Sequence, residues 1–181
     1  MTRPAGPRSP DVDPQLGLAG LGTDGVPSLA ACQTRSMDSV LLGPGEGETL
    51  ALGGSHARLI AQGADAGGRV SITDIVLAAG FPGPRPHVHR EMTDMFFVLE
   101  GTLTVRLGDE EHEAGPGSFI LAPPGVVHTF ANRSDAPTRI LNVQSPGGLE
   151  QYLKEVAAEG GVPDPGRMAE IAAKYDFVPV D

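Results

Sequence analysis

Three of the five histidines in the sequence have a spacing that suits metal binding. His87 and His89 are two residues apart, and because alternate residues of a β-strand point to the same face, this pair could hold one ion. Asp94 follows a few residues later, and His128 comes after a Pro-Pro-Gly turn. Three imidazoles and one carboxylate suit a single divalent transition metal ion such as Fe, Mn, Ni, Co, Cu or Zn. We therefore predict a metal site at these four residues, although a His-x-His pair taken alone is weak support.

Short strands are predicted to position these side chains. Between Val40 and Ser145, apolar stretches alternate with Gly, Pro and Asp turns, which is typical of an all-β barrel or sandwich. The clearest strand is 102–107, in which Leu103, Val105 and Leu107 share one face. The acidic run 109–113 is interpreted as a solvated turn. The predicted strands are 48–52, 57–62, 69–77, 94–99, 102–107, 118–122, 127–131 and 138–144.

Two helices are predicted after Ser145, where the apolar residues adopt a helical period. The first stripe runs from Leu149 to Ala157, and the second helix begins with Asp164 as its N-cap and a proline at its first position. Residues 1–38 are rich in Pro, Gly and Ala and have no sustained period, so we predict a flexible N-terminal arm. The predicted organisation is this arm (1–38), a barrel (39–145) and a helical extension packed on it (146–181).

The composition limits the classes of partner and the compartment. The chain of 181 residues has a net charge of −10, which argues against non-specific binding to nucleic acid or to an anionic membrane. No apolar run approaches the length of a membrane span, and no apolar stretch follows Arg3 and Arg8, so we expect a cytoplasmic protein without a secretory signal. Cys32 is the single cysteine, which excludes an internal disulfide.

Two sequence motifs resemble those of the cupin superfamily. The first runs from Pro86 through His87-Val-His89 and Asp94 to Gly101, and the second has the family's fixed residues at Gly117, Pro123, Gly125, His128 and Asn132. The resemblance covers roughly residues 40–178 and is nearest to single-domain cupins related to quercetin 2,3-dioxygenase. It implies a double-stranded β-helix barrel with a central metal, closed on one side by C-terminal helices. It also implies a small-molecule substrate, cleavage of flavonols or similar enols with O₂, and a homodimer.

The sequence departs from the family pattern at Asp94, where cupins usually carry glutamate. Aspartate is shorter by one methylene, about 1.5 Å of reach. Asp94 is therefore either a metal ligand, a residue beside the metal that accepts a hydrogen bond or a proton, or only a strand-end residue. Of these alternatives, we predict that Asp94 is a metal ligand and a catalytic base.

Other side chains are candidates for the substrate pocket. Phe96 shares strand parity with Asp94, and Phe130 with His128, so both could line the pocket or belong to the barrel core. Asn142 and Gln144 share one face of the last strand, where they either bind substrate or face solvent. Asp74 has the same two alternatives, binding substrate or facing solvent. His56 and His112 are predicted to be surface histidines.

Three functions fit these observations. The first is a metal-dependent oxidoreductase, a dioxygenase acting on a small cyclic or enolic molecule. The second is a metal-dependent cyclase, isomerase or lyase of natural-product metabolism that does not use O₂. The third is a non-catalytic cupin that binds a small molecule.

Overall fold

Residues 39–180 are described by a computed structural model, in which two antiparallel β-sheets are followed by two helices. The predicted flexible arm, residues 1–38, and Cys32 lie outside the described residues. Within 39–180, no helix is long and apolar enough to cross a membrane.

The strands form one six-stranded and one five-stranded sheet. The first sheet has the order β1 (Thr49–Leu52), β2 (Ser55–Ala61), β3 (Ser71–Leu77), β10 (Thr138–Ser145), β5 (Thr93–Glu100) and β8 (Phe119–Ala122). The second has the order β11 (Val178–Pro179), β4 (His87–Val88), β9 (His128–Ala131), β6 (Leu103–Leu107) and β7 (Glu110–Ala114). The all-β prediction is confirmed, and the eight predicted strands are present with shifts of one or two residues at their ends.

The hydrophobic core lies between the two sheets and follows from the alternation of their strands. In β6, Leu103 and Val105 are buried, and they pack with Val98 of β5 and Ile140 of β10 in one cluster. Since the two pairs belong to different sheets, the sheets face each other across this core. The same interior contains the predicted metal-site side chains.

The acidic run 109–113 is not the turn that the sequence suggested. Only Gly108 and Asp109 turn, and Glu110–Ala114 forms β7, paired with β6. This strand lies at the edge of its sheet, and its glutamates and His112 are exposed. Charged side chains on an edge strand oppose pairing with other chains, so a strand of this composition is physically reasonable. The prediction that His56 and His112 are surface residues is confirmed.

Two of the motif residues fix the loops of the barrel. Gly101 has φ of 76°, and a Cβ there would lie 2.7 Å from Thr138 Oγ1, so only glycine fits. The Asn132 amide donates to the carbonyls of Leu77, Ala78 and Ala136. Asn132 is fully buried, and its amide ties the end of β3 to the loop before β10.

Both C-terminal helices are present, as α1 (Glu150–Ala158) and α2 (Pro165–Ala172). The Asp164 carboxylate caps α2 by accepting from the backbone N–H groups of Gly166 and Arg167 at 2.9 and 3.1 Å. Val156 of α1 and Ile171 of α2 are buried, as the apolar stripes predicted. Tyr175 lies beyond the end of α2 and belongs to the segment that returns to the barrel.

An ion-pair network crosses the outer face of the six-stranded sheet. Asp74 of β3 points away from the core, but Arg58 of β2 and Arg139 of β10 cover its carboxylate, with N–O distances of 2.8 Å to each. Arg139 also reaches Glu100 at 3.1 Å. The hydrogen bond from Arg139 has the largest effect on the pKa of Asp74, and burial opposes it. Together with the hydrogen bond from Arg58 and the charges of both arginines, it holds this pKa below its usual value. Of the two alternatives for Asp74, the structure thus supports the outer face of the sheet, although the residue is only 5% exposed.

Replacing Asp74 should therefore destabilise the barrel in a pH-dependent way. Asp74→Asn leaves two guanidinium groups without their carboxylate, and we expect a loss of about 2 kcal/mol at neutral pH. Because the folded pKa lies below the unfolded value near 4, the stabilisation is present above about pH 4 and is lost as the pH falls through the folded pKa. Denaturant unfolding of both proteins from pH 7 to pH 3 measures this difference. Glu100→Ala, at an exposed partner, should cost less than about 0.5 kcal/mol; equal losses for both variants would contradict the assignment.

Candidate metal centre

The three predicted histidines meet between the sheets. His87 lies in β4, His128 lies opposite it in β9, and His89 follows β4 directly. Each side chain is buried, and one ring nitrogen from each forms a group within 4.8 Å. Two atoms that share one ion at bond lengths near 2.1 Å can be at most about 4.2 Å apart. The cluster is therefore close to the dimensions of a metal site, and these residues could hold one ion.

The backbone determines which nitrogen each imidazole presents. His87 Nδ1 donates to the carbonyl of Arg85 at 2.9 Å, and His128 Nδ1 donates to the carbonyl of Val126 at 3.0 Å. His89 Nδ1 donates to the carbonyl of Asp176. Carbonyl oxygens only accept, so each Nδ1 carries the proton and each Nε2 keeps its lone pair in the neutral ring.

Two of these lone pairs have no protein partner. The Nε2 atoms of His89 and His128 are buried and make no hydrogen bond within residues 39–180. A buried polar atom without a partner is costly, and a metal ion is the partner that a neutral imidazole nitrogen suits best. The residues present therefore fit a transition metal ion.

Burial also keeps two of the rings neutral. Desolvation, helped by the neighbouring His128 and His89, lowers the pKa of His87 to about 3, although the hydrogen bond to Arg85 opposes the shift. Desolvation likewise lowers the pKa of His89, against the raising effects of its bond to Asp176 and of the Asp94 charge. A neutral imidazole is the form that binds metals.

Asp94 approaches the cluster from the opposite sheet. It lies in β5 and is 3% exposed, and its Oδ2 is 3.6 Å from His128 Nε2 and 3.9 Å from His89 Nε2. Both separations are within the range for two ligands of one ion. Asp94 is nevertheless not part of the 4.8 Å group that the three histidines form. The interpretation of Asp94 as only a strand-end residue does not fit its position.

Asn142 and Gln144 point into the barrel and not to solvent. Both lie in β10 and are at most 4% exposed, so the solvent-facing alternative is wrong. The Asn142 amide donates to Asp94 Oδ1 at 2.6 Å, and Gln144 donates to Asn142 Oδ1. Ser71 donates to Gln144 Oε1 at 3.0 Å. The sequence indicated the shared face of these residues but not which side of the sheet it was.

Phe96 and Phe130 pack into the barrel core. Phe96 is fully buried, and its ring centroid is 5.1 Å from that of Phe130. Both residues belong to, or pack against, the cluster between the sheets. A role of these two phenylalanines, or of Asn142 and Gln144, in binding substrate stays a prediction.

The C-terminal segment 175–180 completes the site, which the sequence did not indicate. The Asp176 carbonyl holds His89, and the Phe177 ring stacks on His87 with centroids 3.9 Å apart. Residues Val178 and Pro179 form β11, which pairs with β4. The segment lies more than 80 residues from the histidine pair, and nothing in its composition or period reveals that it returns there.

The Asp176 side chain also anchors the loop that follows His89. It accepts from the backbone N–H groups of Arg90, Glu91 and Met92 at 2.7, 2.9 and 3.0 Å. Burial raises the pKa of Asp176, but these three donors and His89 outweigh it, so the pKa is lowered. One aspartate thus fixes both a ring nitrogen and the adjoining loop.

Comparison with known proteins shows a match to one protein family. Residues 74–144, which contain all four predicted site residues, match the cupin domain. The chain therefore contains a cupin domain. This cupin also resembles the polyketide cyclase RemF from Streptomyces resistomycificus in structure, with a TM-score of 0.51 at 23% identity over 60% of this chain and 80% of that one. At that identity the likeness supports the fold only.

Two curated proteins are similar to this cupin in sequence. It is 29% identical over 116 residues to quercetin 2,3-dioxygenase of Bacillus subtilis, covering 63% of this chain and 33% of that protein. It is 33% identical over 103 residues to germin-like protein 5-1 of Oryza sativa subsp. japonica, covering 52% of this chain and 46% of that protein. The chain thus spans less than half the length of either relative.

Loss of the Asp176 carboxylate should destabilise the loop that follows His89. Asp176→Ala removes three charge-assisted hydrogen bonds from the loop after His89, so we expect the free energy of unfolding to fall by about 2 kcal/mol. Thermal and denaturant unfolding measure the change. The matched control is Asp135→Ala, which removes an exposed aspartate and should stay within about 0.5 kcal/mol of the wild type. If both variants were equally stable, the anchoring role of Asp176 would be refuted.

Proposed function

We propose that this cupin is a metal-dependent dioxygenase acting on a small cyclic or enolic molecule. One divalent transition metal ion would be held by His87, His89 and His128. The observation that carries the proposal is the arrangement of the three imidazoles. Their Nδ1 atoms are all bonded to backbone carbonyls, and one nitrogen from each ring lies within 4.8 Å of the others. The sequence similarity to quercetin 2,3-dioxygenase, although it spans only a third of that protein, supports the reaction class.

The chain's own residues would supply binding and proton transfer. A bound ion of this kind provides a Lewis acid for a substrate oxygen and, if redox-active, electron transfer between substrate and O₂. Asp94 Oδ2 would either bind the ion or accept the proton of an enolic hydroxyl, because Oδ1 is already occupied by the Asn142 amide. The apolar core around Phe96 would keep bulk water away from the reacting atoms.

A second candidate is a metal-dependent cyclase, isomerase or lyase without O₂. The observation that favours it is Asp94, a buried carboxylate beside the imidazoles that could move a proton in a reaction with no redox step. The two candidates share the metal site and differ in whether O₂ is consumed.

Elemental analysis together with oxygen uptake tests the proposal. The purified protein should carry close to one transition metal ion per chain, and it should consume O₂ when a flavonol such as quercetin is added. Turnover of an enolic substrate without O₂ uptake would favour the second candidate. A protein that binds a small molecule tightly but turns over none would be the non-catalytic cupin. A metal-free protein with no thermal shift on adding Fe, Mn, Ni, Co, Cu or Zn salts would refute the metal site.

Replacing a histidine should lower both metal content and turnover, whereas replacing Asp94 should lower turnover much more than metal content. His87→Ala, His89→Ala and His128→Ala each remove a neutral nitrogen ligand, so metal content and turnover should both fall strongly. Asp94→Ala leaves three imidazoles, so metal content should fall only partly or not at all. Its turnover should nevertheless drop by about 10²-fold or more, which is the usual effect of losing a positioned proton acceptor.

The control for these variants is Asp109→Ala, which removes a fully exposed carboxylate from the turn between β6 and β7. It should leave metal content and turnover unchanged. Full activity in Asp94→Ala would show that the site works with three histidines alone.

A further inference from the structure

A row of buried polar side chains connects Asp94 in β5 to β3, two strands away in the six-stranded sheet. It runs from Ser71 in β3 through Gln144 and Asn142 in β10 to Asp94 in β5. All four side chains point into the barrel, and none is more than 4% exposed. Buried amides in an apolar interior are costly unless they are hydrogen-bonded, so a row of this length is expected to have a role.

A backbone carbonyl determines the direction of every hydrogen bond in this row. Asn142 Nδ2 lies 3.0 Å from the Met95 carbonyl and 2.6 Å from Asp94 Oδ1. Because a carbonyl can only accept, the nitrogen of the Asn142 amide must face it, and the oxygen must face Gln144. Gln144 then presents its nitrogen to Asn142 and its oxygen to the Ser71 hydroxyl, which donates at 3.0 Å.

The consequence for Asp94 is that its two oxygens are distinguished. Oδ1 must accept from Asn142, which leaves Oδ2 facing the Nε2 atoms of His128 and His89 at 3.6 and 3.9 Å. The terminal torsion of an aspartate is broad and roughly two-fold, so the side chain alone does not fix this orientation. The hydrogen bond from Asn142 does.

The row also accounts for the polar atoms of Asn142. Its amide nitrogen has two hydrogens and two acceptors, Asp94 and Met95, and its oxygen accepts from Gln144. These bonds favour a role within the protein over a direct contact with substrate.

We infer that Asn142 is a positioning residue, which aims Oδ2 of Asp94 at the metal ion, and that Gln144 and Ser71 hold Asn142 in place. This inference rests on the proposed function, since it assumes an ion on the three histidines, and of the two roles of Asp94 it commits to that of fourth ligand through Oδ2. Partners of this kind beside a metal site typically change metal affinity or activity by 10–100-fold when they are removed.

A double-mutant cycle with cobalt(II) as the probe tests the inference without a substrate. Cobalt(II) chloride is titrated into the metal-stripped full-length protein, and visible absorption gives both the dissociation constant and the band shape, which depends on the ligands around the ion. Asn142→Ala should weaken binding by about 10-fold or more and shift the bands in the same direction as Asp94→Ala does. In the Asp94→Ala background, Asn142→Ala should change the affinity by less than about 2-fold, because its target is gone.

Two further variants separate positioning from general damage to the barrel. Thr73→Val is the matched control, because Thr73 lies opposite Asn142 in the same interior and its buried hydroxyl has no partner within the described part of the chain. It should leave cobalt(II) binding within about 2-fold of the wild type and cost little stability. Gln144→Met removes the donor to Asn142 while keeping its size, so it should give a smaller change of the same kind if Asn142→Ala folds poorly. Thermal unfolding of each variant reports folding.

The outcomes distinguish this inference from the proposed function. Equal weakening by Asn142→Ala with and without Asp94 would overturn the inference, as would wild-type affinity and spectrum in Asn142→Ala and Gln144→Met. In either case the metal site of the proposed function stands if the wild type binds cobalt(II) and His128→Ala does not. A wild type that binds no cobalt(II) would refute both.

Discussion

The site depends on one constraint, which is that three buried imidazoles must present the same nitrogen to one point. A neutral imidazole has one donor and one acceptor, so the partner of one nitrogen decides what the other can do. Here each Nδ1 donates to a backbone carbonyl, which leaves every Nε2 as a lone-pair donor. Two of the carbonyls come from residues close in sequence, Arg85 and Val126, whereas the third comes from Asp176 at the other end of the chain.

That third carbonyl explains why the C-terminal segment is part of the site. Two further contacts hold Asp176 beside His89: its side chain accepts from the backbone of the Arg90–Met92 loop, and β11 pairs with β4 directly afterwards. The Phe177 ring then covers His87. The two C-terminal helices therefore do more than cover the barrel, since they return the chain to the edge of the five-stranded sheet. Their N-cap and apolar stripes matter to the metal centre through this path.

The two sheets carry different parts of the site. His87 and His128 belong to the five-stranded sheet, whereas Asp94 and the row behind it belong to the six-stranded sheet. The imidazoles need only a backbone acceptor each, which strand ends and loops supply. The carboxylate needs its orientation fixed, and adjacent strands supply that through cross-strand side chains at Asn142 and Gln144. The histidines and the carboxylate are thus supported by separate hydrogen-bond systems.

The sequence by itself determined the residues whose type and spacing are local. The His-x-His pair and the N-cap at Asp164 could be identified because a strand or a helix start depends on neighbours within a few residues. The resemblance to the cupin motifs added Asp94, His128 and Gly101. The sequence also placed the eight main strands, since alternation is a local property. The sequence-based prediction was wrong for the acidic run 109–113. Its composition and the turn at its start indicated a loop, but pairing with β6 makes Glu110–Ala114 a strand.

Only the tertiary structure decided which side of each strand faces the interior and which distant segments meet. The alternation in β10 defines two faces, but whether Asn142 and Gln144 face the core depends on the sheet that packs over them. For the same reason Asp74 could be recognised as polar but not as a carboxylate covered by two arginines from neighbouring strands. The contact of Asp176 with His89 joins residues 87 positions apart, and it follows from strand pairing and helix packing that no local pattern encodes.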